Sequence, residues 1–118
     1  AEVNGAKMAA NTLRKYLETG DIVNSVNLPN VEMAFDAPLR LTLIHQNVPN
    51  MVGRITTILA KEEINIDNMI NRSRGKIAYT MIDAADISEG KLKELKKELL
   101  EISEVIRVRA LHNPKFVK

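Results

Sequence analysis

An α+β fold in the order βαββαβ is what this sequence predicts, and two patterns predict it. Between Leu39 and Leu111, two stretches place apolar residues at 3.6-residue spacing, the period of a one-faced helix. Four short runs rich in Ile, Leu, Val and Thr flank them, with polar or Gly-bearing segments in between.

The first strand is read from Leu41, Leu43 and the β-branched Thr42 and Ile44, and it ends at His45. Gln46-Asn47-Val48-Pro49 turns the chain. Met51, Val52, Ile55, Ile58, Leu59 and Glu62 then share one helical stripe, with Asn50 as N-cap or, given Pro49, an earlier start at Asn47. Amides at that helix N-terminus face outward and suit a small carboxylate. A second strand runs from about Ile64 to Asn71, and Arg72-Ser73-Arg74-Gly75 reads as a hairpin turn. Ile77 to Asp83 is apolar on both parities, which predicts a central strand. Ser88 caps a second helix lined by Leu92, Leu95, Leu99 and Ile102. Val105 to Leu111 closes the order, with Ile106, Val108 and Ala110 inward and Arg107 and Arg109 outward. This is the ferredoxin-like split βαβ arrangement, a sandwich of sheet and helices.

Ahead of it, Ala6, Ala9, Ala10, Leu13, Tyr16 and Leu17 predict a helix over residues 5–19, capped by Asn4 and ended by Gly20 at C′. Residues 21–38 hold Asn24, Asn27, Pro29, Asn30 and Pro38 among isolated apolar residues and read as an extended connector. One helix and a connector cannot bury a core alone. The expected division is therefore 1–36 as terminal helix and connector of an upstream body, 37–112 as the sandwich, and 113–118 as a basic tail.

Composition narrows the function. Hydrophobic residues make up 45%, enough for a core, while only 3% are aromatic. The charge balance of 17 − 15 = +2 is too mild to point to nucleic acid or a membrane surface. Without cysteine there is no disulfide or thiol chemistry, and a cytoplasmic setting is the expectation. No apolar run approaches the ~18–20 residues of a membrane span.

Leu39 to Leu111 resembles the ACT regulatory domain, and HQNVPNM followed by INIDNMINRSRG is close to the form in the D-3-phosphoglycerate dehydrogenase family, among the D-isomer-specific 2-hydroxyacid dehydrogenases. KMAANTLRKYLETGDIVNSVN looks like the terminal helix and following segment of that family's NAD-binding half, and NSVNLPNVEM strengthens the match. The resemblance implies a parent that oxidises 3-phosphoglycerate to 3-phosphohydroxypyruvate with NAD, in L-serine biosynthesis. It implies catalytic residues and a dinucleotide loop upstream. No catalytic residue, metal site or cofactor is expected here, and Gly5, Gly20, Gly53, Gly75 and Gly90 form no phosphate cradle.

The same resemblance implies an effector site for L-serine or another small amino acid between two ACT domains. His45 and Asn47 would come from one copy and Asn65 from the other, with backbone amides near Asn50 and Met51 completing a carboxylate site. The implied partners are thus the effector, a second copy joined along the edge strand, and upstream dehydrogenase domains, with no nucleic acid or membrane. Read without the family, His45 ends a strand and the asparagines serve turns. A purely structural oligomerisation module that binds no effector is the alternative function. The family often has Gly at the position of Asn50 and again near Glu63, where Gly lets a ligand approach the backbone. Asp83 with Asp86, and Asp67 with Glu62 and Glu63, read as solvated surface; Met51, Met69 and Met81 read as core. Arg72, Arg74, Arg107 and Arg109 lack the aromatic residues that a sheet needs to stack RNA bases.

Overall fold

The computed structural model describes residues 15–23 and 28–116. Four strands and two helices follow the expected order: β1 (Leu39–Gln46), α1 (Met51–Lys61), β2 (Ile66–Arg74), β3 (Ile77–Ala84), α2 (Glu89–Leu100) and β4 (Val105–His112). The sheet order is β2-β3-β1-β4 with every pair antiparallel, so β3 and β1 are central and β2 and β4 are edges. The both-parity apolar run of β3 therefore means what it predicted: seven of its eight residues are buried.

One face of the sheet carries the main core. Leu39, Leu41 and Leu43 of β1 and Ile82 and Ala84 of β3 meet Met51, Ile55 and Leu59 of α1 and Leu92, Leu95 and Leu99 of α2. Ser88 caps α2 as expected, its hydroxyl accepting from the Lys91 amide at 3.2 Å. α1 is amphipathic in the way its spacing predicted, with Met51, Ile55 and Leu59 inward.

The opposite face is covered by the segment that reads as a connector. Ile22 and Val31 pair in an isolated bridge and pack with Tyr79 and Met81, joined by Tyr16, Leu28 and Met33. Residues 15–19 are helical, and Gly20 ends them at φ 76° with its amide on the Tyr16 carbonyl, the expected C′ role. Within the described part of the N-terminal stripe, Tyr16 leans on the sheet while Leu17 stays 54% exposed. The Asn4 cap and Ala6, Ala9, Ala10 and Leu13 lie outside the described residues, as do Asn24 and Asn27. The tail is also tied down in its described part. Asn113 is buried, donates its side-chain amide to the Phe35 carbonyl at 2.7 Å, and sends its backbone N–H to Pro38.

Three expectations are corrected. The second strand starts at Ile66, because residues 62–65 are used to end α1: Ile64 N–H bonds the Leu59 carbonyl and Glu63 N–H bonds that of Ala60. The hairpin turn is Gly75-Lys76, with Arg72, Ser73 and Arg74 in the strand and Gly75 at φ 61°. Ile106 points outward and is 56% exposed: Ile44 pairs with Arg107 while His45 pairs with Val105, so Ile106 is the extra residue of a bulge.

Candidate functional site

The site expected from the sequence lies at the end of β1. His45 does sit there, but its side chain is 1% exposed. Its Nδ1 lies 2.9 Å from the Gln46 carbonyl and its Nε2 2.8 Å from Thr80 Oγ1, so both ring nitrogens have partners inside the domain. Asn47 is exposed and anchored to the β2–β3 turn, with its amide donating to the Gly75 carbonyl at 3.0 Å and its backbone N–H to Lys76. The loop is held further by Gln46 N–H on the Glu104 carbonyl. Glu104 is itself held below the usual carboxylate range by the Ser103 hydroxyl, its own backbone N–H and Arg54.

Asn50 is the N-cap of α1 at φ 67°, and its side chain caps nothing. That side chain lies over Gly53, where an added Cβ would stand 2.6 Å from Asn50 Oδ1. Met51 is buried in the main core, so of this residue only the backbone remains for a ligand. At the other end of α1, Glu63 adopts φ 59°. Asn50 and Glu63 are the two non-Gly residues with positive φ among those described, and both adopt the left-handed conformation. Asn tolerates it, whereas Glu is strained there. The two bonds around Glu63 form a Schellman cap, for which Gly is suited. Glu63→Gly is therefore expected to raise stability by about 1 kcal/mol, the left-handed cost relieved less the entropy that Gly returns to the unfolded chain. Urea denaturation measures it, and a destabilised variant would contradict the assignment of strain.

Asn47 and Asn50 open onto different depressions. Asn47, Val48, Gly75, Lys76 and Ile106 border one of about 540 Å³; Asn50, Gly53, Arg54 and Thr57 border another of about 370 Å³. Asn65 is exposed and precedes β2, whereas Asn47 is bonded to the turn that follows it. Within one copy these residues stand at opposite ends of a nine-residue strand, roughly 30 Å apart at ~3.3 Å per residue.

The remaining candidates divide clearly. Asp83 is no surface carboxylate: it is buried in a two-pronged pair with Arg40, at 2.6 and 2.8 Å. Asp67, Glu63 and Asp86 are exposed and Glu62 is partly buried. Among the described residues no group of three or more His, Asp and Glu is arranged to hold a metal ion. Met51 and Met81 are core residues as read, but Met69 is 37% exposed on the edge strand. Arg109 is directed to the N-terminal segment, bonding the Tyr16 and Leu17 carbonyls and lying 4.3 Å over the Tyr16 ring. Arg40, Thr80 and Asn71 were not singled out from the sequence. Their partners lie 43, 35 and 9 positions away, and no local pattern marks such pairs. No helix among the described residues is long and apolar enough to cross a membrane.

Comparison with known proteins gives relatives of one kind. The chain is 33% identical over 108 residues to D-3-phosphoglycerate dehydrogenase 1 of Saccharomyces cerevisiae, covering 87% of this chain and 23% of that protein. To the D-3-phosphoglycerate dehydrogenase of Escherichia coli it is 29% identical over 115 residues, covering 95% and 27%. The chain thus spans about a quarter of the length of these relatives, at their C-terminal end. No protein-family model matches it. Among solved structures, the ACT domain from GTP pyrophosphokinase of Chlorobium tepidum superposes with a TM-score of 0.56 at 19% identity, covering 62% of this chain and 95% of that one. An ACT domain protein from Streptococcus pneumoniae gives 0.55 at 13% identity, covering 68% and 93%. Both support the fold. The chain is homologous to the C-terminal end of D-3-phosphoglycerate dehydrogenases, and its fold is that of an ACT domain.

Proposed function

We propose that this ACT domain senses a small amino acid, with L-serine as first candidate, at a site that two copies complete by pairing along β2. It does so for an NAD-dependent D-3-phosphoglycerate dehydrogenase body of L-serine biosynthesis, to which NAD and the chemistry belong, and it works in the cytoplasm. Residues 1–36 are proposed as the junction to that body, 37–112 as the sensor and 113–118 as its tail. The observation that carries the reading is the placement of the two asparagines at opposite ends of one exposed edge strand. Antiparallel pairing of two copies along β2 sets the start of one strand beside the end of the other. Asn65 of a second copy then approaches Asn47 of the first. β2 suits such pairing, since an edge strand offers unpaired backbone groups. Asparagine amides offer both donors and acceptors to an amino acid's charged ends, and the first-turn amides of α1, which no side chain caps, favour its carboxylate. His45 stands behind this loop, and Asn50 with the Met51 backbone stands beside it.

Calorimetric titration of the chain with L-serine, glycine and a panel of other amino acids tests the reading. Binding is expected between roughly micromolar and millimolar, or about −8 to −4 kcal/mol. Asn65→Ala should weaken it without unfolding the domain. If millimolar L-serine and the panel give neither heat nor a shift in melting temperature, sensing is ruled out. Dimers that persist in that case would establish the second reading, a structural module. The Asn50 side chain favours that alternative, because it occupies space over Gly53 that a Gly at position 50 would leave open.

A further inference from the structure

The tail that follows β4 is bound to the bend where the chain enters β1. Leu39 pairs with His112, so Pro38 and Asn113 leave the sheet side by side at one end. Adjacency alone asks nothing particular of residue 113. Asn113 is nevertheless 4% exposed, and its polar groups bind both the bend and the tail. Its backbone N–H donates to the Pro38 carbonyl at 2.9 Å, and its side-chain amide donates to the Phe35 carbonyl at 2.7 Å. Its Oδ1 accepts from the Lys115 N–H at 3.1 Å. Its carbonyl accepts from the Phe116 N–H at 3.0 Å, which closes the single helical turn Pro114–Phe116. Arg40 takes the neighbouring carbonyl, that of Ala34, at 2.8 Å and lies against the Phe35 ring at 4.4 Å. Lys115 adds an exposed ion pair to Asp36 at 3.8 Å, which contributes little.

We infer that residues 113–116 are a clasp on the bend at residues 35–38, which fixes the direction in which the junction segment leaves the sandwich. Residues 32–38 belong to no strand or helix, and Asp36 is exposed. Backbone without a ladder opens at little cost unless other groups hold its carbonyls. Arg40 holds the connector to the sheet at Ala34, and Asn113 holds the turn into β1 from the next residue on. With the clasp closed, the connector is kept on the second face of the sheet. With it open, residues 35–38 become a pivot between connector and β1. The tail thus locks the angle between junction and sensor. This rests on the reading of residues 1–36 as a junction only for what that angle controls.

Limited proteolysis of the full chain tests the clasp, because chymotrypsin cuts after Phe35 once the bend opens. Asn113→Ala removes the side-chain donor and should raise cleavage there about tenfold, the ratio one hydrogen bond commonly carries. Asn113→Asp keeps the shape but cannot donate when ionised, and should raise it at least as much. Lys115→Ala should leave it within about twofold, since only the exposed ion pair is lost. Ile55→Val, a core change on α1, loosens the whole domain instead. It should speed cleavage after the buried Tyr79 but not after Phe35. In the unaltered chain the Asn113 amide should exchange by local opening, independent of dilute denaturant, while the β3 amides exchange by global unfolding. An Asn113 amide that exchanges as fast as an unbonded one, or cleavage after Phe35 indifferent to Asn113→Ala, overturns the clasp. So does an equal rise in Ile55→Val, because the bend would then open only with the whole domain. A tenfold rise in Lys115→Ala would move the hold to the ion pair and overturn the part given to Asn113. If the chain binds no amino acid, it is the sensing function that fails, and these rates still decide the clasp.

Discussion

Asp83→Ala is expected to cost the domain about 3–5 kcal/mol, the penalty of taking from a buried cation its two-pronged partner. Arg40 and Asp83 face each other across β1 and β3, with side chains 0% and 3% exposed. The guanidinium gives Nε and Nη2 to the carboxylate, Nη1 to the Thr19 carbonyl and Nη2 also to that of Ala34, with Asp21 at 3.6 Å. Phe35 lies 4.4 Å from its central carbon. Removing Asp83 leaves the cation where water cannot reach it, while the two carbonyls keep it from swinging out. For a domain of this size the melting temperature should drop on the order of 15 °C. The control is the double change Arg40→Met with Asp83→Leu, which removes both charges and should recover much of the loss. A single variant within about 1 kcal/mol of the unaltered chain would mean that the pair is solvated.

The location of that pair explains which parts of the fold were legible. The helix-covered face could be read because its signals are local: Leu92, Leu95 and Leu99 recur along one helix, and Ser88 caps the helix that follows it. The second covered face was implied but not drawn out. β3 is apolar on both parities, and the two helices of the sandwich can cover one face only. Something had to cover Tyr79 and Met81, and the isolated Ile22 and Val31 of the connector do so. Arg40 carries no local signal of burial, because its partners are distant in sequence. Ile106 misled because a bulge depends on the neighbouring strand, not on local alternation.

The candidate site was legible in a narrower sense. The family resemblance points to Asn47, Asn50 and Asn65, and each lies exposed at the end of an element. It points equally to His45, yet that residue is buried, because Thr80 and Asn71 supply polar partners that spacing cannot reveal. The left-handed conformations at Asn50 and Glu63 were hidden for the opposite reason. Gly, the residue that signals such backbone, is absent from both positions.

Gly20→Ala is expected to destabilise the chain by about 2–4 kcal/mol, the sum of a left-handed backbone cost and an overpacked contact. Gly20 sits at φ 76°, and a Cβ there would stand 2.7 Å from Thr42 Cγ2 and 3.3 Å from both Leu111 Cδ1 and the Tyr79 hydroxyl. The neighbours can yield little, since Thr42 and Tyr79 are buried on central strands. Tyr79 also donates to the Gly20 carbonyl at 2.7 Å, and burial pushes its phenol well above the usual range, so the bond stays intact at any ordinary pH. Relief would come from lifting the connector off the sheet, which exposes Ile22, Val31 and Met81 together. Hydrogen exchange separates this from general loosening: amides of residues 20–23 and 28–33 should lose protection first, while those of α1 and α2 keep theirs relative to global unfolding. Tyr79→Phe should show the same pattern in weaker form, near 1 kcal/mol for the single bond lost. Should Gly20→Ala leave exchange in residues 20–23 and 28–33 unchanged, the close approach of the connector to Thr42 and Tyr79 is refuted. The second sheet face would then have to be covered in another way.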